Sequence, residues 1–536
     1  MRNEETKKTP KVSAAAEYSR MKTERQQYLN RAHECSKLTI PTLIPSDTDQ
    51  NRKNTEVEVE QPWQSIGSTG VNTLTAKLVL AVLPANSPFF QLIMGRKQRE
   101  ELLQLEGEEA DQFAAEVEAG LQRIEYDITQ DIERTPLRTS LFTTIKHLLV
   151  AGNYLLYIGE KPKGFPLYKY VASRDSSGNV TKIIVREMVD KRTLDPTFLA
   201  SLDMPDKKSV TDKQETSNDE VAIFTVVERV RGDNWTSYQE VLDKEVPGTR
   251  GAYQTATLPW LALRMIPVDG EDYGRSYCEE LYGDLNSANS LTKALVQGGM
   301  LSAKMIWLLN PNGLTDLDDI EEASNGDIVP GRSEDLNALR AEKMADFTVA
   351  ERTLQGIIAR LERAYLMNSS VQRAGERVTA FEISAMTQEL EDVLGGYYSL
   401  LAQELQLPIV RRWMVIMERR GDLPKLPKGS VEPMIVTGID ALGRGQDLSR
   451  LRGFSQDLQG LATVVPQVAR RIKDDELIQR FANGHNVDIA GLIKSNEELA
   501  AEDAQAQEQQ MQQSMLDKGT GPAVQAMAKA AAEGNQ

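Results

Sequence analysis

Two hydrophobic periods run along this chain, one helical and one of alternating or buried strands. Residues 11–36 read as a helix with polar and basic faces, followed by a polar loop from Pro41 to about Gln61. Leu74, Leu78 and Val82 lie four apart, which places them on one stripe of a helix over about 63–83. Residues 97–134 carry Leu102, Leu103, Phe113, Val117, Leu121 and Ile124 at helical spacings within a strongly acidic background. A further helix over about 137–150 carries Leu141, Phe142, Ile145, Leu148 and Leu149.

The period then changes. Tyr154 to Ile158 is a short apolar run after Gly152, the pattern of a buried strand. Tyr168–Arg174 and Val180–Glu187 flank the turn residues Asp175 to Asn179, and Val221–Arg231 and Trp235–Val241 flank Gly232 to Asn234. Both are hairpin signals. With a strand over Trp260–Val268, residues 152–268 form a β-rich region carrying an insertion near 190–220.

From Ser276 the pattern is helical again. Residues 276–305 span about 45 Å as one helix at ~1.5 Å per residue, although Gly283, Gly298 and Gly299 argue against an unbroken rod. A mixed segment occupies 306–347. A second helix over 348–368 carries Leu354, Ile357, Ile358, Leu361 and Tyr365 on one stripe. A polar linker follows, and a third helix starts near Thr379 with Met386, Leu390, Val393, Leu394, Tyr397 and Leu401 at helical spacing. Pro408 is expected to restart the helix at its first turn and Gly421 to stop it. Residues 437–490 read as a last helical lobe, and 500–536 as a tail biased to Ala, Gln and Met. The class is therefore α+β, mainly helical.

Composition narrows the function. With 536 residues and 40% hydrophobic positions, the chain can bury a real core, divided at ~150 residues per domain into three or four parts. The net charge of −17 opposes a role in gripping nucleic acid by its backbone, which needs a basic face. It suits a wall that phosphate slides past. Two distant cysteines, Cys35 and Cys278, suggest a reduced protein made in a cytoplasm. The N-terminal residues contain no apolar signal core, and the longest apolar stretch, Leu78 to Leu83, is too short for a bilayer that needs ~20 residues. No membrane association, cofactor or metal is expected.

The search for catalytic chemistry nominates nothing. The three histidines, His33, His147 and His485, stand in no metal-ligand pattern, and His147 reads as a packed helix residue. Gly326 to Arg332 lacks the lysine of a phosphate-binding loop. The acidic run Asp316, Asp318, Asp319, Glu321, Glu322 fails the calcium-loop pattern, because its fifth and sixth places are Ile320 and Glu321. It reads as a solvated surface, with docking of a basic partner as the alternative. In the linker Val371 to Arg377, Arg373 and Arg377 flank Gly375 and Glu376. In a monomer that is an ordinary charged loop. In a ring it would set repeated arginines, which can grip phosphate bidentately, around one opening. A hydrolytic enzyme and an adaptor or scaffold protein are the competing classes.

Six strings spread over the chain in one order carry a resemblance: Gln61–Gln64, Val150–Tyr157, Gly270–Tyr277, Val371–Thr379, Gln403–Pro408 and Gly438–Asp447. Together they resemble the portal, or head-to-tail connector, proteins of short-tailed double-stranded DNA bacteriophages. The resemblance is weakest in the first dozen residues, around 190–220 and after about 500. It implies a non-enzymatic structural subunit of a ring, usually of about twelve copies, at one capsid vertex of the virion. Double-stranded DNA would be packaged and ejected through the ring. The implied parts are N-terminal helices and a β-rich wing (1–270), a first stem helix (271–305), a clip (306–347), a second stem helix (348–368), a channel loop (369–377), a long wing helix and its continuation (378–436), a crown (437–498) and a tail or barrel helix (499–536). Arg373, Glu376 and Arg377 would face the DNA, and Asp316, Asp318, Asp319, Glu321 and Glu322 would form a docking face. The implied partners are other copies of the chain, the terminase large subunit, scaffold and major capsid protein, and the tail adaptor and internal core proteins. The subunit would be made in the host bacterial cytoplasm.

Overall fold

The computed structural model describes residues 13–45, 59–84, 89–95, 108–202, 220–303, 306–313, 315–339, 344–367, 400–424, 431–435, 453–459 and 477. The chain divides into two compact units, 1–441 and 442–536. In the second, residues 453–459 are helical.

The N-terminal helix α1 (Ala14–Leu38) starts at Ser13, whose hydroxyl accepts from the Ala16 amide. It is not simply polar and basic. Ala14, Tyr18, Met21, Arg25, Leu29 and Ala32 are buried at spacings of three and four, so a narrow stripe faces the core. Arg25 sits on that stripe and is fully buried. Its Nη1 donates to the carbonyls of Leu167 (3.0 Å) and Tyr170 (2.7 Å) and to the Tyr18 hydroxyl (3.3 Å).

That stripe packs on a six-stranded sheet. Strands β4 (Tyr170–Arg174), β5 (Val180–Asp190), β6 (Glu220–Arg231), β7 (Asn234–Val241) and β8 (Lys244–Glu245) run antiparallel in that order, and β9 (Gly251–Gln254) pairs with β7. Successive side chains of a strand point to opposite faces. Ile184 therefore joins Tyr18, Met21, Val171, Val226 and Tyr238 under α1, while Ile183 and Val185 join Val227, Trp235 and Leu29 in a second cluster. Because both faces are covered here, the central strand reads Ile-Ile-Val without alternation. The first turn is fixed by Asp175, whose carboxylate accepts from the amides of Ser177 and Asn179, with Gly178 at φ +78°. A three-stranded sheet, β10 (Trp260–Arg264), β2 (Asn153–Tyr157) and β3 (Lys163–Pro166), lies beside it, with Trp260 opposite Tyr157 and Arg264 opposite Asn153. Both hairpins and both flanking strands thus form where the pattern placed them. The 190–220 insertion contains a short helix α5 (Pro196–Ser201) capped by Asp195.

The largest core gathers α2 (Ile66–Val82), α4 (Leu137–Ala151) and the helices that follow, with β1 (Phe90–Met94) and α3 (Glu108–Glu133) at its side. Among the described residues strand β1 pairs with β13 (Val431–Ile435) alone, and both outer edges of this ribbon are blocked. The Leu92 amide points outward and donates to the buried Glu125 carboxylate (2.7 Å). Leu92 is registered with Pro433, so the proline's missing N–H also faces the outer edge. Blocked edges discourage pairing with another chain.

Beyond β10 the structure departs from a single rod. A short helix α6 (Tyr277–Glu280), capped by Ser276, stops at Leu281, and α7 (Tyr282–Ala303) runs on without a break. The glycines are not the interruption. Gly283 and Gly299 face open space, and Gly298 brings α7 against Phe347. Strands β11 (Ile306–Leu309) and β12 (Leu336–Leu339) form a hairpin enclosing α8 (Leu317–Glu322). Helix α9 (Met344–Ala364) begins four residues earlier than the pattern suggested, and Ile357, Leu361 and Tyr365 of its stripe are buried.

Pro408 falls in the first turn of helix α10 (Leu407–Arg420), as the sequence predicts, but that helix does not start from a loop. Residues 400–420 are helical throughout: a π turn at Ala402–Gln406 leads directly into α10. A proline inside an α-helix lacks one amide and clashes with the carbonyl four residues back, and the wider π turn makes room for it. Gly421 ends α10 at φ +84°, with the Asp422 amide bonding the Met417 carbonyl and the Gly421 amide the Glu418 carbonyl, a full left-handed C-cap.

Candidate functional site

The segment from Gly270 to Met367 forms an arm whose root is heavily tied and whose outer part is thin. At the root, Arg275 is bidentate with Glu271 (2.7 and 3.2 Å) and reaches Glu279 (3.1 Å). The guanidinium holds the Glu271 carboxyl below its usual range. Tyr277 donates to the Ala364 carbonyl (2.9 Å), and its ring meets the edge of Tyr365 at 6.1 Å. Tyr365 is fully buried, with its hydroxyl 3.4 Å from the Cys278 sulfur. The β carbon of any residue replacing Gly70 of α2 would lie 2.4 Å from the Tyr365 ring.

Helices α7 and α9 run antiparallel along the arm. Asp284 pairs bidentately with Arg360 near the root (2.7 and 3.1 Å), and Gly298 meets Phe347 further out. The two intervals are about 21 and 20 Å at ~1.5 Å per residue, so the helices keep register over that length. The Asp284–Arg360 pair is exposed and screened by solvent, so it serves alignment more than stability. Val296, Met300 and Leu301 of α7, Val349 of α9 and Leu308 of β11 are exposed. Among the described residues no third layer covers these side chains, and exposed apolar groups in one region mark an interaction surface.

At the far end the hairpin loop is closed by Asp335. Its backbone carbonyl accepts from Asn310 (2.9 Å) and its buried carboxylate from the Thr315 hydroxyl (3.1 Å). The Arg332 amide donates to the same hydroxyl (3.0 Å). Gly313 lies against the Asp335 carboxyl, where a β carbon would approach to 2.4 Å. This scaffold holds α8, whose N-cap is Asp316, accepting from the Asp318 amide. Asp316, Asp318, Asp319, Glu321 and Glu322 are all exposed, and Ile328 in the loop beyond them is 98% exposed. Among the described residues no cluster of His, Cys, Asp or Glu could hold a metal ion. Arg373, Glu376 and Arg377 lie outside the described residues.

Among the described residues, neither the histidines nor the cysteines form a catalytic or metal-binding group. His33 Nδ1 lies 3.0 Å from the Ile44 carbonyl oxygen, and His485 lies outside the described residues. His147 is buried and stacked on Tyr154 at 4.8 Å, and burial pushes its pKa down to about 4. The folded protein thus keeps His147 neutral, while the unfolded chain takes up a proton below its ordinary value near 6.5. Stability is full above that pH and falls between about 6.5 and 4, by up to about 3 kcal/mol from this group. A His147→Phe variant is expected to lose that part of the acid sensitivity, which melting temperatures recorded across this window will check. Both cysteines are buried and free, and burial raises their thiols, Cys35 to about 11. They are poor nucleophiles at neutral pH.

Periodicity overlooked several anchoring residues. Arg25 had a signal, since it occupies an apolar stripe. Lys77, Gly70 and Asp335 had none, because their partners lie far away in sequence.

No helix among the described residues is long and apolar enough to cross a membrane. The family model of the bacteriophage head to tail connecting protein matches residues 11–492. The portal protein of Enterobacteria phage T3 is 39% identical over 495 residues, which cover 91% of this chain and 89% of that protein. The portal protein of Escherichia phage T7 is 37% identical over 536 aligned positions, covering 96% and 94%. Among solved structures, a chain from the virion of a native gene transfer agent particle aligns over 72% of this chain and 84% of its own. Its identity is 10% and its TM-score 0.33, too remote to bear on the architecture.

Proposed function

This chain belongs to the bacteriophage head to tail connecting protein family, and from that premise we propose how its parts serve the connector. It is a structural protein of the phage particle and not an enzyme. Copies assemble into a ring, with about twelve subunits, at one vertex of the capsid. Double-stranded DNA enters and leaves through the ring, which joins the head to the tail.

In this reading residues 1–270 form the wing, α7 and α9 the stem, and 306–347 the clip. Residues 369–377 are the channel loop, 378–436 the long wing helix with its continuation, 437–498 the crown and 499–536 a tail. The observation that carries the reading is the thin α7–α9 arm with Val296, Met300, Leu301 and Val349 exposed. Neighbouring copies in a ring supply the missing layer for such an arm.

The chain's acidity suits a conduit. At −17 per subunit, most of the ring repels phosphate and DNA does not stick. Arg373 and Arg377 give one basic ring at the channel loop, and Glu376 beside them limits how tightly it holds. The Arg373→Ala plus Arg377→Ala variant is expected to assemble normally but to alter DNA retention or packaging, and to weaken the salt dependence of DNA contact. Loss of assembly in that variant would move the loop from the channel to a subunit interface. The exposed carboxylates of α8, held out on the scaffold built around Asp335, are the docking face. The terminase large subunit would occupy it during filling and the tail adaptor afterward, while scaffold, major capsid and internal core proteins meet the ring elsewhere.

A further inference from the structure

Residues 368–399 leave and rejoin the described body at two places, and both are held by helix α2. Where the chain leaves, α9 ends in a left-handed cap: the Met367 amide bonds the Glu362 carbonyl and the Leu366 amide the Arg363 carbonyl. That cap normally has glycine at its left-handed position. Here the position is Leu366, at φ +55°, a left-handed conformation that side chains disfavour. Leu366 is buried, and its carbonyl accepts from the Lys77 ammonium at 2.6 Å. A cation at a helix C-terminus is also favoured by the helix dipole.

Where the chain returns, it passes through the π turn, a second unusual backbone state. Gln406, the last residue of that turn, is 1% exposed and donates from Nε2 to the Val82 carbonyl (2.7 Å). Val82 is the last residue of α2, so this bond satisfies one of its orphan carbonyls. Lys77 and Val82 are five residues apart on α2, about 7.5 Å at ~1.5 Å per residue.

We infer that α2 is a common anchor for the end of α9 and for the π turn before α10, the two described flanks of residues 368–399, with Lys77 and Gln406 as the positioning residues that fix these flanks relative to each other. The inference rests, for its functional consequence, on the reading of 369–377 as the channel loop. Helix α2 can serve this way because it is itself immobilised. Gly67 and Gly70 allow the Leu38 carbonyl and the Tyr365 ring to sit directly on its backbone. The Gln64 side chain binds the Leu38 carbonyl (2.7 Å), and the Trp63 amide binds Asn289 of α7 (2.7 Å). A load on either flank is thereby delivered to the helix that holds the other.

The test is amide hydrogen exchange on the full chain, comparing the native protein with Lys77→Met, Gln406→Met, the double variant and the conservative Lys77→Arg. Ile145→Val serves as a core control of similar cost to stability. Lys77→Met is expected to raise exchange roughly tenfold, the factor of a lost hydrogen bond to a charged group. The rise should appear at 365–367 and also at 400–406. Gln406→Met should do the same in reverse, the double variant should be no worse than the stronger single, and Lys77→Arg should restore protection. The control should leave both segments unchanged relative to the rest of the chain. Effects confined to the substituted end, or additive in the double variant, would overturn the common anchor. If Lys77→Met does not fold, Gln406→Met alone decides, because its effect at 365–367 is the discriminating signal. In assembled particles the same variants should lower the DNA retained. Normal retention with coupled exchange would reject the channel-loop reading while leaving the anchor intact.

Discussion

Replacing Arg25 by alanine is expected to destabilise the chain by about 3 kcal/mol or more, among the largest effects of any single substitution between α1 and the six-stranded sheet. Three contributions have the same sign. The carbonyls of Leu167 and Tyr170 lose a charged donor at 3.0 and 2.7 Å in a fully buried setting. The aliphatic stem leaves a cavity between α1 and the sheet. The Tyr18 hydroxyl loses the 3.3 Å contact that fixes it. One contribution opposes them. The guanidinium is buried with Nε and Nη2 unbonded among the described residues, so removing it also relieves a desolvation cost. Arg25→Met separates these terms, since it keeps most of the volume and removes the donor. It should fall between the native protein and Arg25→Ala in urea unfolding. A methionine variant as stable as the native protein would show that the hydrogen bonds merely offset the cost of burying the charge.

A second large effect is expected at Gly70. Glycine inside a helix is normally a weakness, and alanine there gains up to about 1 kcal/mol. At Gly70 the gain is outweighed. A β carbon would sit 2.4 Å from Cδ2 and 2.5 Å from Cγ of Tyr365, more than an ångström inside ordinary contact. Those atoms belong to the fixed base of a fully buried ring held by Tyr277 and Cys278, so the ring cannot swing away. Gly70→Ala should cost about 1–3 kcal/mol and Gly70→Val more. Gly298 offers the contrast. A β carbon there meets Phe347 at the same 2.4 Å, but at the tip of a half-buried ring that can rotate outward. Gly298→Ala should be close to neutral. Thermal melts of the two alanine variants will check the pair, and equal losses would contradict the argument from ring mobility.

Much of this fold is legible in the sequence where the signal is local. The turns at Asp175–Asn179 and Gly232–Asn234 are encoded by their own residues, and both hairpins form there. The stripe Leu354, Ile357, Leu361, Tyr365 located α9 because a helix face buries what its period presents. Legibility failed where the deciding contact is distant. Leu281 ends α6 by tertiary geometry, and nothing nearby distinguishes it from the glycines that looked like breakers. Pro408 marks the first turn of α10 as its rule says, but the π turn before it had no signal, because its anchor on α2 lies far away in sequence. The acidic residues of α8 are exposed, but its support by Asp335, Thr315 and Gly313 depends on a contact across the hairpin. The roles assigned to Arg373, Glu376 and Arg377 come from the family resemblance, since an arginine loop in one subunit has no meaning until copies surround an opening.

The central claim is that this chain works as a closed ring. End-on electron-microscope class averages of the purified full-length protein test it most directly. The account predicts rings with a central hole and about twelvefold symmetry, with the α7–α9 arms of adjacent copies in contact. A compact monomer at every concentration, with Val296, Met300 and Leu301 still open to solvent, would contradict it.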